Sequence, residues 1–284
     1  MNAPPIITLT TDFGVADPYV GTMKGVMLAI AHDAHLVDIT HEIPPQDVLQ
    51  TAFVVYTAWP FFPAHTVHLV VVDPGVGSTR RPIAVHTPHG LFVGPDNGVF
   101  SYVLAEQPTE AVVELVDPGY RLCQVSQTFH GRDIFAPAAA HLATGIPIDQ
   151  FGPAVSDPVT LPPPALCIGP DVVSGEVLYV DHFGNAITSI GRLLWRGDEL
   201  LLRPAFTRGD GRSARFSADQ AAVILGERPN TRQIRGVHRT YADVEPGEEL
   251  ALVGSTGHLE LAVREGSGAR KLDLQPGDGV ELRW

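Results

Sequence analysis

One stretch divides this chain into two kinds of sequence. Residues 158–164 read Pro-Val-Thr-Leu-Pro-Pro-Pro. Such a run can be neither helix interior nor central strand, because proline lacks the backbone N–H that both need. Before it, short β-rich runs (6–10, 36–39, 67–72, 83–86 and 91–93) alternate with runs of helical spacing (19–31, 48–58, 97–105 and 133–143). Strands alternating with helices predict an α/β layer with a largely parallel sheet. After it, the runs are short and strand-like (172–180, 186–190, 199–203, 249–253, 259–263 and 280–284), separated by glycine-rich turns. That texture predicts a small all-β, barrel-like unit. The expected layout is an α/β N-terminal domain over 1–157, a proline-rich linker over 158–170 and a β-barrel-like C-terminal domain over 171–284.

Composition narrows the function classes. The chain has 284 residues, 44% hydrophobic and 18% charged, and a formal net charge of −13. This is a globular balance with enough length for a real core. The negative charge argues against a nucleic-acid or anionic-membrane partner. No apolar run approaches the ~20 residues that span a bilayer. The start, Met1-Asn2-Ala3-Pro4-Pro5, has no basic segment followed by an apolar one, so a cytoplasmic protein is expected. Cys123 and Cys167 show no metal spacing. The twelve histidines form no His-x-x-x-His cluster, and the pairs His65/His68 and His86/His89 are spaced so as not to aim at one ion. Neither a metal site nor a cofactor is expected.

Polar residues gather where strands end, which is where open α/β sheets bind ligands. Asp12 follows the first strand in Thr10-Thr11-Asp12-Phe13-Gly14, with Asp17 nearby. A carboxylate there can take both hydrogen bonds from a ribose diol, or can simply cap a turn. Asp73-Pro74-Gly75-Val76-Gly77-Ser78-Thr79-Arg80-Arg81 follows the strongest strand. It is neither a P-loop nor a dinucleotide fingerprint. Its carboxylate and guanidinium can fold back on each other, which at a surface would contribute little. Thr128-Phe129-His130-Gly131-Arg132-Asp133 stands before a helix, so His130 can face a cleft. In the second half, Asp181-His182-Phe183-Gly184-Asn185 and Gly254-Ser255-Thr256-Gly257-His258-Leu259-Glu260 are turn-like. An amide such as Asn185 can read a purine edge, and Phe183 or Tyr241 can stack on the ring.

These segments, together with Gly94-Pro95-Asp96-Asn97-Gly98, resemble in order and over nearly the whole chain the adenosine-forming S-adenosylmethionine hydrolases, or SAM hydroxide adenosyltransferases. Fluorinase and chlorinase are relatives of that family. Any one motif is weak; six in order across two domains are specific. The resemblance implies hydrolysis of S-adenosylmethionine to adenosine and methionine. It also implies a homotrimer whose sites lie between the N-terminal domain of one subunit and the C-terminal domain of the next.

The catalytic triad the resemblance implies falls on Asp73, Arg80 and His130, with Arg81 as competitor for the arginine role. The halogenating relatives carry aromatic or small hydroxyl residues at the first two places, whereas this chain keeps the charged pair, which favours water as nucleophile. The resemblance further places Asp12 at the ribose diol and Asp17 and Asp181 near the methionine ammonium. Asn185 falls at the adenine edge, Phe183 and Tyr241 against the ring (Tyr241 across a one-residue gap), and Ser255 at the methionine carboxylate. Glu260 and Val263 fall in the segment whose backbone lines the adenine pocket. Thr256 stands where the halogenases have arginine, so the grip on the methionine end differs. Alternatives are a halide-dependent adenosyltransferase, a non-catalytic adenosine or S-adenosylmethionine sensor, and a structural oligomer in which these loops merely pack.

Overall fold

The computed structural model describes residues 3–206, 212–226 and 231–284. Met1 and Asn2, which belong to the segment read above for a leader, lie outside the described residues. The chain forms two compact units, Met1–Leu161 and Pro162–Trp284.

The first unit is built on one sheet. Its strands are β1 (Ile6–Thr11), β2 (His35–Thr40), β3 (Thr66–Val71), β4 (Pro82–Thr87), β5 (Gly90–Pro95) and β6 (Ala111–Glu114), in the spatial order β2-β1-β3-β5-β4-β6. β1 runs parallel to β2 and β3, and β3 parallel to β5. β4 is antiparallel to β5 and β6. β3 is buried at every position, as expected of a central strand covered on both faces. Side chains alternate across it. Val67, Leu69 and Val71 join a core with Met23, Met27, Ala138 and Ala139, while Val70 joins another with Val55, Val99 and Val103. The first face is therefore covered by α1 (Tyr19–Ile30) and α4 (Ala136–Ala143), the second by α2 (Val48–Ala58) and α3 (Ser101–Glu106). α2 begins where the Asp47 carboxylate accepts the Gln50 N–H at 2.8 Å.

Two helices differ from expectation at their starts. The run from 97 becomes helical only at Ser101, because Gly98 takes φ +100° in a turn. The run from 133 becomes α-helix only at Ala136. Before it, Gly131–Phe135 forms one wide turn closed by the Ala136 N–H to the Gly131 carbonyl. Such widened turns recur at functional sites.

The second unit is antiparallel. β7 (Leu166–Ile168), β8 (Val172–Val180), β9 (Ala186–Thr188), β13 (Ala222–Leu225), β14 (Arg232–Arg235), β15 (Glu249–Val253), β16 (Leu259–Val263) and β17 (Gly279–Arg283) make the main sheet. Its order is β14-β13-β17-β8-β9-β16-β15, with β7 against β8. β10 (Leu193–Arg196), β11 (Glu199–Leu202) and β12 (Ala214–Ser217) make a smaller one. The His238 N–H donates to the Ala251 carbonyl at 2.7 Å, joining the chain just past β14 to β15. The two ends of the sheet order thus meet and the sheet is nearly barrel-shaped. Val173, Val177, Leu200, Val223, Leu261 and Leu282 lie in its core. β6, β7, β10 and β12–β14 are strands beyond those expected; each has three or four residues, too few to establish a period of two against polar neighbours.

Candidate active site

Val71 ends the buried central strand, and after Val72 the chain turns at Asp73 into a tight loop. The Val76 N–H reaches the Asp73 carbonyl at 3.2 Å, the Ser78 N–H the Gly75 carbonyl at 3.1 Å, and the Ser78 hydroxyl the same carbonyl at 2.6 Å. Gly77 takes φ +75°, and a Cβ there would stand 2.5 Å from the Gln127 carbonyl oxygen. The loop therefore packs directly against the segment that carries His130, and a side chain at 77 would push them apart.

This folding brings the two charges of the loop together. Arg80 Nε donates to Asp73 Oδ1 at 2.8 Å, and Nη2 donates to Oδ2. The side chains are 9% and 7% exposed, so this is not a surface pair. Arg80 Nη2 also lies 3.0 Å from His130 Nδ1. Arginine can only donate, so Nδ1 is the acceptor and the neutral ring carries its proton on Nε2. The guanidinium carbon stands 5.0 Å above the Phe135 ring, and Nη1 is buried with no protein partner. Burial, then the Arg80 cation, lower the His130 pKa from its ordinary 6.5, outweighing Asp73 and Asp133. Behind it, the buried Asp133 accepts from Arg132 Nε at 2.5 Å and from the Ser126 N–H at 2.8 Å, which fixes the turn entering α4.

Asp73 and His130 line one cavity of about 380 Å³, together with Asp12, Tyr19, Gln46 and Phe129. That is the lower end of small-ligand sites. Phe13, Tyr19 and Phe129 meet there with ring centroids 5.1–5.9 Å apart. Asp12 is half-buried, and its Oδ2 accepts the Gln46 N–H at 2.8 Å. Asp17 is exposed on the turn before α1. Hollows of about 700 and 550 Å³ occur elsewhere in the two units, but neither is lined by a histidine. Arg81 turns away, with Nε 2.8 Å from Asp96 Oδ2 and Nη1 2.7 Å from Asp157 Oδ1.

The second unit gathers its own cluster. Asp181 Oδ1 accepts the N–H groups of Phe183 and Asn185 at 2.9 and 2.8 Å, and Oδ2 accepts Asn185 Nδ2 at 3.0 Å. The Tyr241 hydroxyl donates to Glu260. Burial raises the Glu260 pKa, and burial followed by the Glu260 bond raises that of Tyr241. Asn185 and Glu260 are 5% and 7% exposed, whereas Phe183 is 76% exposed. Val263 is buried in β16 and Ser255 is exposed in the turn before it.

Sequence reasoning did not single out Phe135, Gln46 or His41, and named Thr11 only as a member of the Asp12 motif. His41 follows a strand end, the position that drew attention to Asp12 and Asp73, and so carried the same signal. Among the described residues no group of three or more His, Cys, Asp or Glu is placed to hold a metal ion, and no helix is long and apolar enough to cross a membrane.

The chain resembles known proteins over nearly its whole length. Residues 7–152 match the SAM hydroxide adenosyltransferase N-terminal domain and residues 175–281 its C-terminal domain. A relative named (R)-S-adenosyl-L-methionine hydrolase, from Salinispora tropica, is 42% identical over 285 residues, covering 99% of both chains. A fluorinase from Actinopolyspora mzabensis is 29% identical over 306 residues, covering 98% of this chain and 97% of its own. The crystal structure of an uncharacterized conserved protein from Thermotoga maritima superposes with a TM-score of 0.84 at 34% identity, covering 98% of this chain and all of that one.

Proposed function

The chain belongs to the SAM hydroxide adenosyltransferase family, and from that membership we propose that it hydrolyses S-adenosyl-L-methionine to adenosine and L-methionine. The substrate is the (R)-sulfonium form that its relatives carry in their name. The observation that carries the reading is the contact of Asp73, Arg80 and His130 beside a cavity that Asp12 also lines.

The sulfonium leaves as a neutral thioether, so no acid is needed on that side. The difficulty is the nucleophile. Water attacks C5′, the C5′–S bond breaks with its electron pair going to sulfur, and one proton of the water is released. His130 Nε2–H donates to the water oxygen, and Asp73, the carboxylate facing the same cavity, accepts the proton. Arg80 holds both by bonding to Asp73 and to His130 Nδ1. A base so placed contributes about 10²–10⁴-fold; in-line positioning and exclusion of bulk water supply much of the remainder. Asp12 takes the ribose diol, and Asp17 and Asp181 lie near the methionine ammonium. Asn185 reads the adenine edge, Phe183 and Tyr241 cover the ring, Ser255 meets the methionine carboxylate, and Glu260 and Val263 belong to the adenine segment. The working form is a homotrimer with sites between the first unit of one subunit and the second of its neighbour.

A halide-dependent adenosyltransferase, suggested by the fluorinase relative, is the competing reading. The charged, hydrogen-bonded pair at Asp73 and Arg80 disfavours it, because a halide gains nothing from a carboxylate beside it. Incubation with (R)- and (S)-S-adenosylmethionine, with and without chloride or fluoride, and identification of the nucleoside by mass spectrometry separates the two. Adenosine alone, formed from the (R) form, supports hydrolysis; a 5′-halo-5′-deoxyadenosine overturns it.

A further inference from the structure

Two loops line the cavity on the Asp12 side, one following β1 and one following β2, and they are tied together by a buried pair outside the proposed machinery. Thr11 is fully buried and His41 is 5% exposed. Thr11 Oγ1 lies 2.8 Å from His41 Nδ1. On the far side of the ring, His41 Nε2 lies 3.0 Å from Asp38 Oδ1, a close contact off the line of the N–H. Asp38 in turn takes Lys24 Nζ at 2.6 Å, which links β2 to α1. Partial burial pulls the Asp38 carboxyl upward, but Lys24 and His41 outweigh it and hold it below the usual carboxylate range. A carboxylate beside Nε2 favours the proton on that nitrogen, which leaves Nδ1 as acceptor and makes the Thr11 hydroxyl the donor.

The remaining bonds converge on Asp12. The Phe13 N–H reaches Thr11 Oγ1 at 3.3 Å. The Gly14 N–H reaches the His41 carbonyl at 2.8 Å. The Gln46 N–H reaches Asp12 Oδ2 at 2.8 Å. Gln46 holds φ +69°, a conformation unfavourable for a non-glycine residue that persists only where its surroundings impose it. The surroundings here are the stretch from His41 to Gln46, pinned at its start to Thr11 and Gly14 and at its end to Asp12. No charged group of His41 or Thr11 faces the cavity.

We propose that Thr11 and His41 are positioning residues that aim the Asp12 carboxylate at the ribose diol by locking the two cavity-lining loops in register. The inference rests on the proposed adenosyl substrate and on Asp12 as its diol partner. Asp12 without the lock still binds, but its second oxygen is no longer oriented by Gln46, so the loss falls on ligands that present a diol.

The test compares adenosine with 2′,3′-dideoxyadenosine by calorimetry in the full chain. Thr11→Val, which keeps shape and removes the hydroxyl, weakens adenosine about tenfold, as expected for one oriented hydrogen bond, and leaves the dideoxynucleoside within twofold. Thr11→Ser restores the preference. His41→Asn, whose side-chain oxygen can take the place of Nδ1, restores it in part; His41→Gln, which reaches the Nε2 side instead, does not. In turnover the loss appears in KM more than in kcat. Variants that melt lower yet keep the wild-type ratio of the two affinities overturn the proposal, because a purely structural role moves both ligands alike. A wild-type protein that itself binds the two nucleosides equally removes the diol reading of Asp12, and this inference with it.

Discussion

Arg80 and Asp73, seven positions apart on one loop, meet through two hydrogen bonds while both side chains are over nine-tenths buried. Losing one partner of such a pair typically costs about 3–5 kcal/mol, because the other is left as an uncompensated buried charge. Asp73→Asn keeps the shape but removes the proton acceptor. It lowers kcat by about 10²–10⁴-fold while adenosine affinity changes little, as expected if Asp12 rather than Asp73 takes the ribose diol. Steady-state kinetics alongside adenosine calorimetry checks this; turnover within threefold of wild type sinks the assignment.

The His130 contact predicts an acid limb. Arg80 Nη2 donates to Nδ1, so protonating the ring places two donors against each other and breaks the contact. Burial and the Arg80 cation hold the folded pKa below 6.5. The midpoint of the acid limb of kcat/KM, which reports the free enzyme, therefore lies below pH 6.5. Replacing Arg80 by Gln raises the His130 pKa toward 6.5, readable by NMR even where turnover is lost. A midpoint above 6.5 contradicts the arrangement.

Two other histidines predict how stability responds to acid. His68 is 4% exposed and stacks on Phe92 at 4.8 Å; His258 is fully buried and donates from Nδ1 to the Thr188 carbonyl at 2.9 Å. Burial lowers both pKa values from 6.5 to about 4. The unfolded chain therefore takes up protons first as pH falls through 6.5, and stability drops between pH 6.5 and about 4, then levels. Each group accounts for roughly 3 kcal/mol over that window. One lies in each unit, so both units weaken together in acid. Urea midpoints measured from pH 7.5 to 4 follow this fall, and His68→Phe flattens part of it. Midpoints constant down to pH 5 refute it.

If the site is shared between subunits, two inactive variants complement each other. Asp73→Asn disables the first unit's contribution and Asn185→Ala the second's. Co-refolded mixtures then regain a fraction of wild-type turnover near the statistical share of sites with both halves intact. Light scattering gives a mass near three chains of 30.5 kDa. No recovery in a mixed oligomer places the whole site within one chain.

The fold class was legible where burial shapes composition. β3 is buried on both faces, and β8, β15 and β16 occupy the stretches their sequence suggests. Arg232-Gln-Ile-Arg, which was not legible as a strand, has a single buried residue and is set by its pairing with β13. The site shows the same division. Strand-end and helix-start positions drew attention to Asp73, Arg80 and His130. Spacing alone left Arg80 and Arg81 equivalent; what separates them is Asp96 and Asp157, 15 and 76 positions from Arg81. The pairing of Thr11 with His41 went unnoticed for the same reason. They are 30 positions apart, and only the β1–β2 register, with Thr10 opposite Thr40 after an irregularity at Leu9, sets the two next to each other.

In the proposed reaction, water held by Asp73 and His130 attacks C5′ directly. The most direct measurement is turnover of (R)-S-adenosylmethionine in ¹⁸O-water by EDTA-treated protein, with mass spectrometry of the products. Direct attack by water gives adenosine with one ¹⁸O at its 5′ oxygen and methionine without label. Unlabelled adenosine, or a nucleoside bearing anything other than a hydroxyl at C5′, contradicts it.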